Sequence, residues 1–234
     1  MENSLDKNLE NSLLHRNIIQ KIPPSAYYIP NFITEEEENE IIKNVNESPL
    51  PKWTQLSNRR LQNWGGIPHP KGMIAEEIPK WLQKYVDKVS ALNVFSNKTS
   101  PNHVLINEYL PNQGIMGHTD GPLFHPIVTT ISCGSHTLLE FTKRLATDEE
   151  QRLIKPKFAI LLERRSLLIL RDQLYNDYLH SINEVACDTI NKDFICNLDL
   201  CCNNYNDKDV LERGTRLSLT IRHVPKTSKL KLRF

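Results

Sequence analysis

The second half of the chain is a succession of short β-rich segments, and this arrangement constrains the fold more than any other feature. Between residues 103 and 224, turns separate segments rich in Val, Ile, Leu and Thr. The segments are HVLINEYL, PIVTTIS, HTLLEF, FAILLE, SLLILR and TRLSLTIRHV. Strands that do not alternate with helices favour antiparallel pairing. The pattern predicts a mainly β (α+β) protein, an antiparallel barrel or jelly roll with a pocket in its mouth.

Two amphipathic helices are predicted ahead of these strands. Thr34 and Glu37 form a capping box before an apolar stretch that begins at Ile41. A second helix is predicted within 75–92, where apolar residues recur at spacings of three and four. Both helices have a single apolar face, so we expect them to pack on one side of the sheet.

Changes in composition suggest the domain boundaries. Residues 1–24 are polar and Asn-rich, which predicts a flexible N-terminal tail, and 227–234 form a basic C-terminal tail. The intervening residues 25–226 are of single-domain size and can bury a substantial core. Two polar stretches, about 143–157 and 191–213, are interpreted as loop insertions.

Composition excludes several classes of protein. The 234 residues include no apolar run long enough for a membrane span and no signal-peptide pattern. We therefore expect an intracellular protein of the cytoplasm, the nucleus or both, without a membrane partner. Five cysteines without C-x-x-C spacing argue against a disulfide framework or a zinc finger. A formal net charge of +1 provides no overall basic footprint, so the partner and the oligomeric state remain open.

The stretch GIMGHTDGP, residues 114 to 122, is either a polar turn or part of a metal site. On a strand, His118 and Asp120 would point to the same face and could bind one ion. Two histidines and one carboxylate suit non-haem Fe(II), because this set leaves coordination positions open. His180 is the favoured third ligand because it begins a strand-like segment after an apolar run. The alternative for His180 is an ordinary half-buried histidine.

The segment RGTRLSLTIRHV alternates strictly between polar and apolar residues. As a strand it presents one polar face made of Arg216, Ser218, Thr220 and Arg222. Such a face is either solvent-exposed or lines a site, where arginines would match the carboxylates of a dicarboxylic acid. Asn107 and Tyr109 likewise share a face and could hydrogen-bond the same acid. Ordinary packing of the tyrosine and a turn position for the asparagine are the alternative.

In this order, the motifs N-x-Y, H-x-D, a distant His and R-x5-R resemble those of the AlkB family of dioxygenases. Segments such as YYIPNFITEEEE, YLPNQGIMGHTDGP and RGTRLSLTIRHVP extend the resemblance from about residue 25 to residue 226. The resemblance implies a double-stranded β-helix (jelly roll) that uses Fe(II), with 2-oxoglutarate and O2 as co-substrates. Its implied metal ligands are His118, Asp120 and His180.

The resemblance also implies how the co-substrate is held. Arg216 would pair with the distal carboxylate of 2-oxoglutarate, and Arg222 would lie near its metal-chelating end. Asn107 and Tyr109 would help to hold the molecule. The reaction implied converts 2-oxoglutarate to succinate and CO2 while it hydroxylates a C–H bond, and a hydroxylated N-methyl group is lost as formaldehyde.

The implied substrate is an alkylated nucleobase in RNA or DNA, which would have to be flipped out and stacked. Trp64, His69, Phe124 and His125 could form the wall of such a base pocket, although core aromatics and loop histidines are common. The alternatives are a hydroxylase or demethylase of a protein side chain and a non-catalytic jelly-roll binding module, including one of cupin type. A metal-binding module of cupin type would not need the polar face with Arg216 and Arg222, whereas an inactive enzyme acting as a binding module would have lost the metal ligands.

Overall fold

The structure is a computed structural model that describes residues 13–145 and 156–228. Most of the predicted insertion at 143–157 therefore lies outside the described residues. No helix within the described ranges is long and apolar enough to cross a membrane. The elements in chain order are β1 (Ala26–Ile29), α1 (Glu35–Asn46), β2 (Trp53–Leu56), β3 (Arg59–Trp64), β4 (Met73–Ile74), α2 (Lys80–Ser90), β5 (His103–Tyr109), β6 (Ile115–His118), β7 (Ile127–Cys133), β8 (Thr137–Lys143), β9 (Phe158–Leu162), β10 (Leu167–Arg171), α3 (Asp172–Asn176), β11 (Tyr178–Ile182), β12 (Cys187–Thr189), β13 (Val210–Glu212), β14 (Arg216–Arg222) and β15 (Thr227–Ser228).

Two antiparallel sheets form the body of the protein. The large sheet has the order β1-β10-β7-β14-β5-β3-β2, and the small sheet has the order β6-β11-β8-β9. Apolar side chains from both sheets meet in one core, for example Leu168 of β10 with Phe141 of β8 and Ile160 of β9. The predicted jelly roll is therefore confirmed. Short pairs complete the fold, with β12 antiparallel to β13 and β4 parallel to β15.

The two helices cover the outer face of the large sheet, as predicted. The Thr34 side chain accepts a hydrogen bond from the Glu37 amide, and the Glu37 carboxylate accepts one from the Thr34 amide. Leu82 and Val86 of α2 join strand residues in a second buried core. α2 is shorter than the predicted 75–92, because Pro79 is its N-cap and a proline disfavours helical geometry in the preceding residue.

The central strand β14 divides its side chains between these two cores. It pairs with β5 on one side and β7 on the other. Leu217, Leu219 and Ile221 are buried beneath the helices. The alternate polar residues face the space between the sheets. The predicted alternation is confirmed, and its polar face lines a cavity rather than open solvent.

The N-terminal boundary predicted at residue 24 is wrong for the residues directly before it. Ile19 is only 1% exposed, and its amide donates a hydrogen bond to the carbonyl of Ala26. Ile18 forms a β-bridge with Tyr27. These apolar residues cover the edge of β1, so this part of the expected tail belongs to the folded domain. At the other end, Thr227–Ser228 of the predicted C-terminal tail forms β15, and 229–234 lie outside the described residues.

The predicted insertion at 191–213 packs against the barrel instead of forming a simple surface loop. Ile195 is 1% exposed and contributes to a third core with Leu161 of β9. The buried carboxylate of Glu163 accepts hydrogen bonds from the Tyr205 hydroxyl at 2.8 Å and the Cys202 amide at 2.8 Å. A single barrel residue therefore anchors two points of the segment.

Candidate active site

A cavity of about 220 Å³ opens between the two sheets. Both sheets contribute apolar side chains to its lining, and polar side chains of β5 and β14 line it on the side of the large sheet. The polar residues that line it are Arg59, Asn107, Tyr109, His118, Thr119, Asp120, Thr130, His180, Arg216, Ser218, Thr220 and Arg222. All seven residues predicted for the metal and for 2-oxoglutarate are thus brought into one space.

Two histidines and an aspartate meet at one end of this cavity. β6 and β11 pair so that His118 lies opposite His180, and their ring centroids are 4.4 Å apart. Asp120 Oδ2 lies 3.9 Å from His180 Nε2. His118 Nδ1 is 2.9 Å from the carbonyl oxygen of Met116, which fixes the ring and leaves Nε2 available.

The route by which Asp120 reaches this position differs from the prediction. β6 ends at His118, so the two residues do not share the face of one strand. Asp120 lies in the following loop, where Gly121 has a φ of +88° that a residue with a Cβ rarely adopts. The turn, rather than strand periodicity, keeps the carboxylate near the imidazoles.

Asp120 and Arg222 form a buried ion pair at this end. Arg222 Nη1 donates to Asp120 Oδ1 at 2.5 Å, and both side chains are less than a tenth exposed. Burial raises the pKa of Asp120, but Arg222 and His180 outweigh this effect and hold the pKa below its usual range. Burial lowers the pKa of His180 to about 4. The site therefore offers an ionised carboxylate and a neutral imidazole, the protonation states that bind a metal.

The donor chemistry fits Fe(II). In the described ranges, no three His, Cys, Asp or Glu side chains are grouped closely enough to hold a metal ion. The Arg222 guanidinium supplies the positive charge beside Asp120 instead. Nevertheless, two imidazoles and one carboxylate lie together at the end of an open cavity. This set is typical of non-haem iron sites that retain open coordination positions.

Arg216 provides a second positive centre in the cavity. Its side chain is 3% exposed, and its Nη2 donates to the Ser132 hydroxyl at 2.9 Å. Nε has no hydrogen-bond partner among the described residues. Burial lowers the pKa of Arg216 to about 10, so the group remains cationic at neutral pH. A buried cation that no described carboxylate neutralises is a strong indication of an anionic ligand.

Asn107 and Tyr109 lie on the same face of β5, as predicted. Tyr109 is opposite Arg216 in the β5–β14 register, and its ring centre is 5.8 Å from the guanidinium carbon. Asn107 is opposite Ser218. Both residues are 6% exposed. They therefore border the space beside the unneutralised arginine, where a carboxylate would bind.

One residue that lines the site, Arg59, and one that lies beside it, His103, were missed by the sequence analysis. His103 is fully buried opposite Arg222, and burial lowers its pKa to about 3. His103 lies four residues before Asn107 on β5, so the alternation of the strand predicts that the two side chains share a face. Arg59 of β3 lines the cavity, and its Nε donates to Asn107 Oδ1 at 3.1 Å. Nothing in the sequence distinguished Arg59 from its neighbour Arg60.

The four residues predicted to stack a base do not form one wall. The ring centre of Phe124 lies 3.7 Å from the Arg222 guanidinium carbon, so this residue is near the site. Trp64 packs edge-on against Trp81 in the helix-side core, on the opposite face of the large sheet. His69 is exposed in a loop, with its Nδ1 accepting from the Lys71 amide. His125 packs against His223. The prediction is wrong for Trp64 because its place in β3 directs it towards the helices.

The family model for the 2OG-Fe(II) oxygenase superfamily matches residues 50–222. The chain belongs to this superfamily. The oxygenase is also 48% identical over 227 residues to "Probable RNA/DNA demethylase ALKBH6" of Danio rerio, a match that covers 94% of each chain. The predicted resemblance to the AlkB family is confirmed. The oxygenase is therefore a 2-oxoglutarate-dependent dioxygenase that uses Fe(II) and O2.

Solved structures of other oxygenases share the fold. The structure titled OsALKBH1 has a TM-score of 0.57 and 17% identity, covering 87% of this chain and 100% of that one. A prolyl hydroxylase from Trichoplax adhaerens, in complex with a hypoxia inducible factor peptide fragment, has a TM-score of 0.53 and 12% identity. That match covers 96% of this chain and 92% of that one. At these identities the similarity concerns the fold alone.

Proposed function

We propose that this oxygenase removes an alkyl group from a nucleobase of RNA or DNA by oxidising the carbon attached to nitrogen. The observation that carries the proposal is the pair of centres in one cavity: two imidazoles and a carboxylate at one position, and the unneutralised guanidinium of Arg216 at another. The first centre suits Fe(II), and the second suits the free carboxylate of 2-oxoglutarate. The relative named as a probable RNA/DNA demethylase supports the substrate class.

Seven of the polar residues that line the cavity have a role in this proposal. His118, Asp120 and His180 hold Fe(II). Arg216 binds the distal carboxylate of 2-oxoglutarate, and its planar guanidinium allows two parallel hydrogen bonds. Arg222 lies at the metal-chelating end of 2-oxoglutarate, where it also keeps the proposed ligand Asp120 ionised.

Asn107 and Tyr109 position the co-substrate between these two ends. They lie on the strand beside β14, so their polar tips border the same space as the arginines. Leu168, Leu170 and Val128 belong to the apolar part of the lining. An apolar wall excludes water and strengthens the hydrogen bonds to the two carboxylates.

When bound, Fe(II), 2-oxoglutarate and O2 supply the oxidation, in which 2-oxoglutarate becomes succinate and CO2 and one oxygen atom enters a substrate C–H bond. The chain orients the reactants and excludes water. A hydroxylated N-methyl group then departs as formaldehyde and leaves the base unmodified. A base inside a duplex would have to be flipped out to reach the cavity.

A turnover assay tests this function. Purified protein with Fe(II), O2 and 2-oxoglutarate would be supplied with methylated RNA, methylated DNA or methylated peptide pools, and succinate and formaldehyde would be measured. We expect one nucleic-acid pool to stimulate turnover by wild type and none to stimulate His118→Ala. Stimulation by peptides alone would instead favour a protein side chain as substrate, and failure to bind 2-oxoglutarate with Mn(II) would favour the binding module.

A further inference from the structure

Arg59 is a cavity cation that neither the metal centre nor the proposed carboxylate site uses. It begins β3 and lines the cavity on the same side as Asn107, to which its Nε donates at 3.1 Å. In the described part of the chain, no carboxylate pairs with its guanidinium. Its other N–H groups are therefore available to an acceptor that enters the cavity.

The next residue shows that this lack of a partner is particular to Arg59. Arg60 points to the other side of β3, where it donates to both oxygens of Glu108 at 2.6 and 2.9 Å. Its guanidinium carbon also lies 3.9 Å from the ring centre of Trp53. Two consecutive arginines thus differ sharply, since one is neutralised and stacked and the other faces the cavity without an anion.

Arg59 also lies beside a point where the two sheets are joined by a hydrogen bond. It follows the turn between β2 and β3, where the side chain of Asn58 donates to Glu184 at 2.5 Å. Glu184 lies in the segment after β11, which belongs to the small sheet. The hydrogen bond therefore spans the two sheets beside Arg59, so the position of this residue is tied to both sheets.

The charge balance of the cavity favours an anionic ligand. Three guanidinium groups but only one carboxylate line it. Fe(II) and the 2-oxoglutarate dianion carry opposite and equal charges, so adding both leaves this excess of positive charge unchanged. Arg222 is paired with Asp120, and Arg216 is assigned to the co-substrate, which leaves Arg59 for the substrate.

We propose that Arg59 binds a backbone phosphate of the nucleic-acid substrate at the β3 side of the cavity. The proposal rests on the proposed function and deepens it, because it names the group that anchors the strand while a base occupies the cavity. A guanidinium is suited to this role, since its fork of N–H donors matches phosphate oxygens. In this proposal Arg59 binds the substrate and takes no part in the oxidation.

Binding of a fluorescein-labelled single-stranded oligonucleotide with one methylated base would test this inference. The protein would be loaded with Mn(II) and 2-oxoglutarate, and anisotropy would be followed at several salt concentrations. We expect Arg59→Ala to bind about tenfold more weakly than wild type. The slope of log affinity against log salt should also fall by about 0.7, because the variant neutralises one phosphate fewer on a single strand. Arg59→Lys should retain the slope.

Lys80→Ala provides the charge-matched control, because Lys80 is exposed at the start of α2 on the helix side of the large sheet. It should bind like wild type. An unchanged salt slope in Arg59→Ala, or weaker 2-oxoglutarate binding without weaker oligonucleotide binding, would overturn the inference and make Arg59 part of the co-substrate site. Failure of the proposed function has a different signature, because wild type itself would then show no stimulation by any methylated nucleic acid.

Discussion

Asp120 and Arg222 neutralise each other inside the cavity, with 2.5 Å between Asp120 Oδ1 and Arg222 Nη1. This pair links the loop after β6 to the end of β14 across a sequence separation of 102 residues. In the proposed enzyme the carboxylate serves two cations, the guanidinium and the metal. The two partners should therefore respond differently to metal.

Asp120→Asn and Arg222→Met separate these two roles. Each removes one member of a buried ion pair, so each should lower the free energy of unfolding of the metal-free protein by about 3 kcal/mol. Mn(II) supplies a new cation for the carboxylate and should restore the stability of Arg222→Met but not of Asp120→Asn. Urea denaturation with and without Mn(II) would measure this. Equal rescue of both variants would contradict the assignment of Asp120 as a ligand.

Replacement of Arg216 should weaken the binding of 2-oxoglutarate and raise the stability of the metal-free protein. Arg216→Met removes a buried cation that lacks a described carboxylate partner, so the metal-free protein should gain about 1 kcal/mol of stability. The KM for 2-oxoglutarate should rise at least about tenfold, because the variant cannot make the charge-assisted hydrogen bonds to its carboxylate. Thermal unfolding provides the second readout: 2-oxoglutarate with Mn(II) should raise the melting temperature of wild type but not of the variant. A normal KM would remove Arg216 from the site.

Glu163 should be critical for the stability of the segment at 191–213. It is 6% exposed and accepts hydrogen bonds from Tyr28, Cys202, Asn203 and Tyr205. Glu163→Ala leaves several buried donors without an acceptor and should cost about 3 kcal/mol, whereas Tyr205→Phe should cost about 1 kcal/mol. Hydrogen exchange at the amides of residues 202 and 203 should accelerate in Glu163→Ala.

The exposed Glu212 of β13 offers a control for this measurement. Glu212→Ala removes the same charge from the same region and should change the stability by less than about 0.5 kcal/mol. Equal effects of the two substitutions would mean that the anchor does not depend on the buried carboxylate.

The capping box of α1 should contribute a smaller and local stabilisation. Thr34→Ala removes the acceptor for the Glu37 amide, 3.2 Å away, and should lower the free energy of unfolding by about 1 kcal/mol. Thr54→Ala, at an exposed position of β2, should have little effect. Chemical denaturation of the two variants would compare them, and equal losses would show that the helix does not depend on this cap.

Much of the fold was predictable because the relevant signals are local. The period of two in β14 separated its polar and apolar faces, and the capping box marked the start of α1. The cavity residues Asn107 and Tyr109 followed from the same periodicity. Long-range interactions carried no such signal: nothing near Ile19 indicated that it covers β1, and nothing in 191–213 indicated that Glu163 anchors the segment.

The site itself was predictable in composition but only partly in geometry. His118 and Asp120 were correctly placed together, although a turn rather than a strand achieves this. The expectation that Trp64 stacks a base was wrong because the faces of β3 depend on its pairing with β5, which the sequence does not reveal. The same missing register hid Arg59, whose environment differs from that of Arg60 only because the two residues point to opposite sides of the sheet.

Polar and apolar residues alternate along β14, and this alternation restricts how the chain can evolve. Even-numbered positions from 216 to 222 line the cavity, and odd-numbered positions fill the core beneath the helices. Point substitutions can therefore change ligand binding or packing one at a time. Deletion or insertion of a single residue would exchange the two faces, burying arginines under the helices and exposing leucines to the co-substrate. Along this strand, evolution can change the residue at each position far more readily than it can change the length.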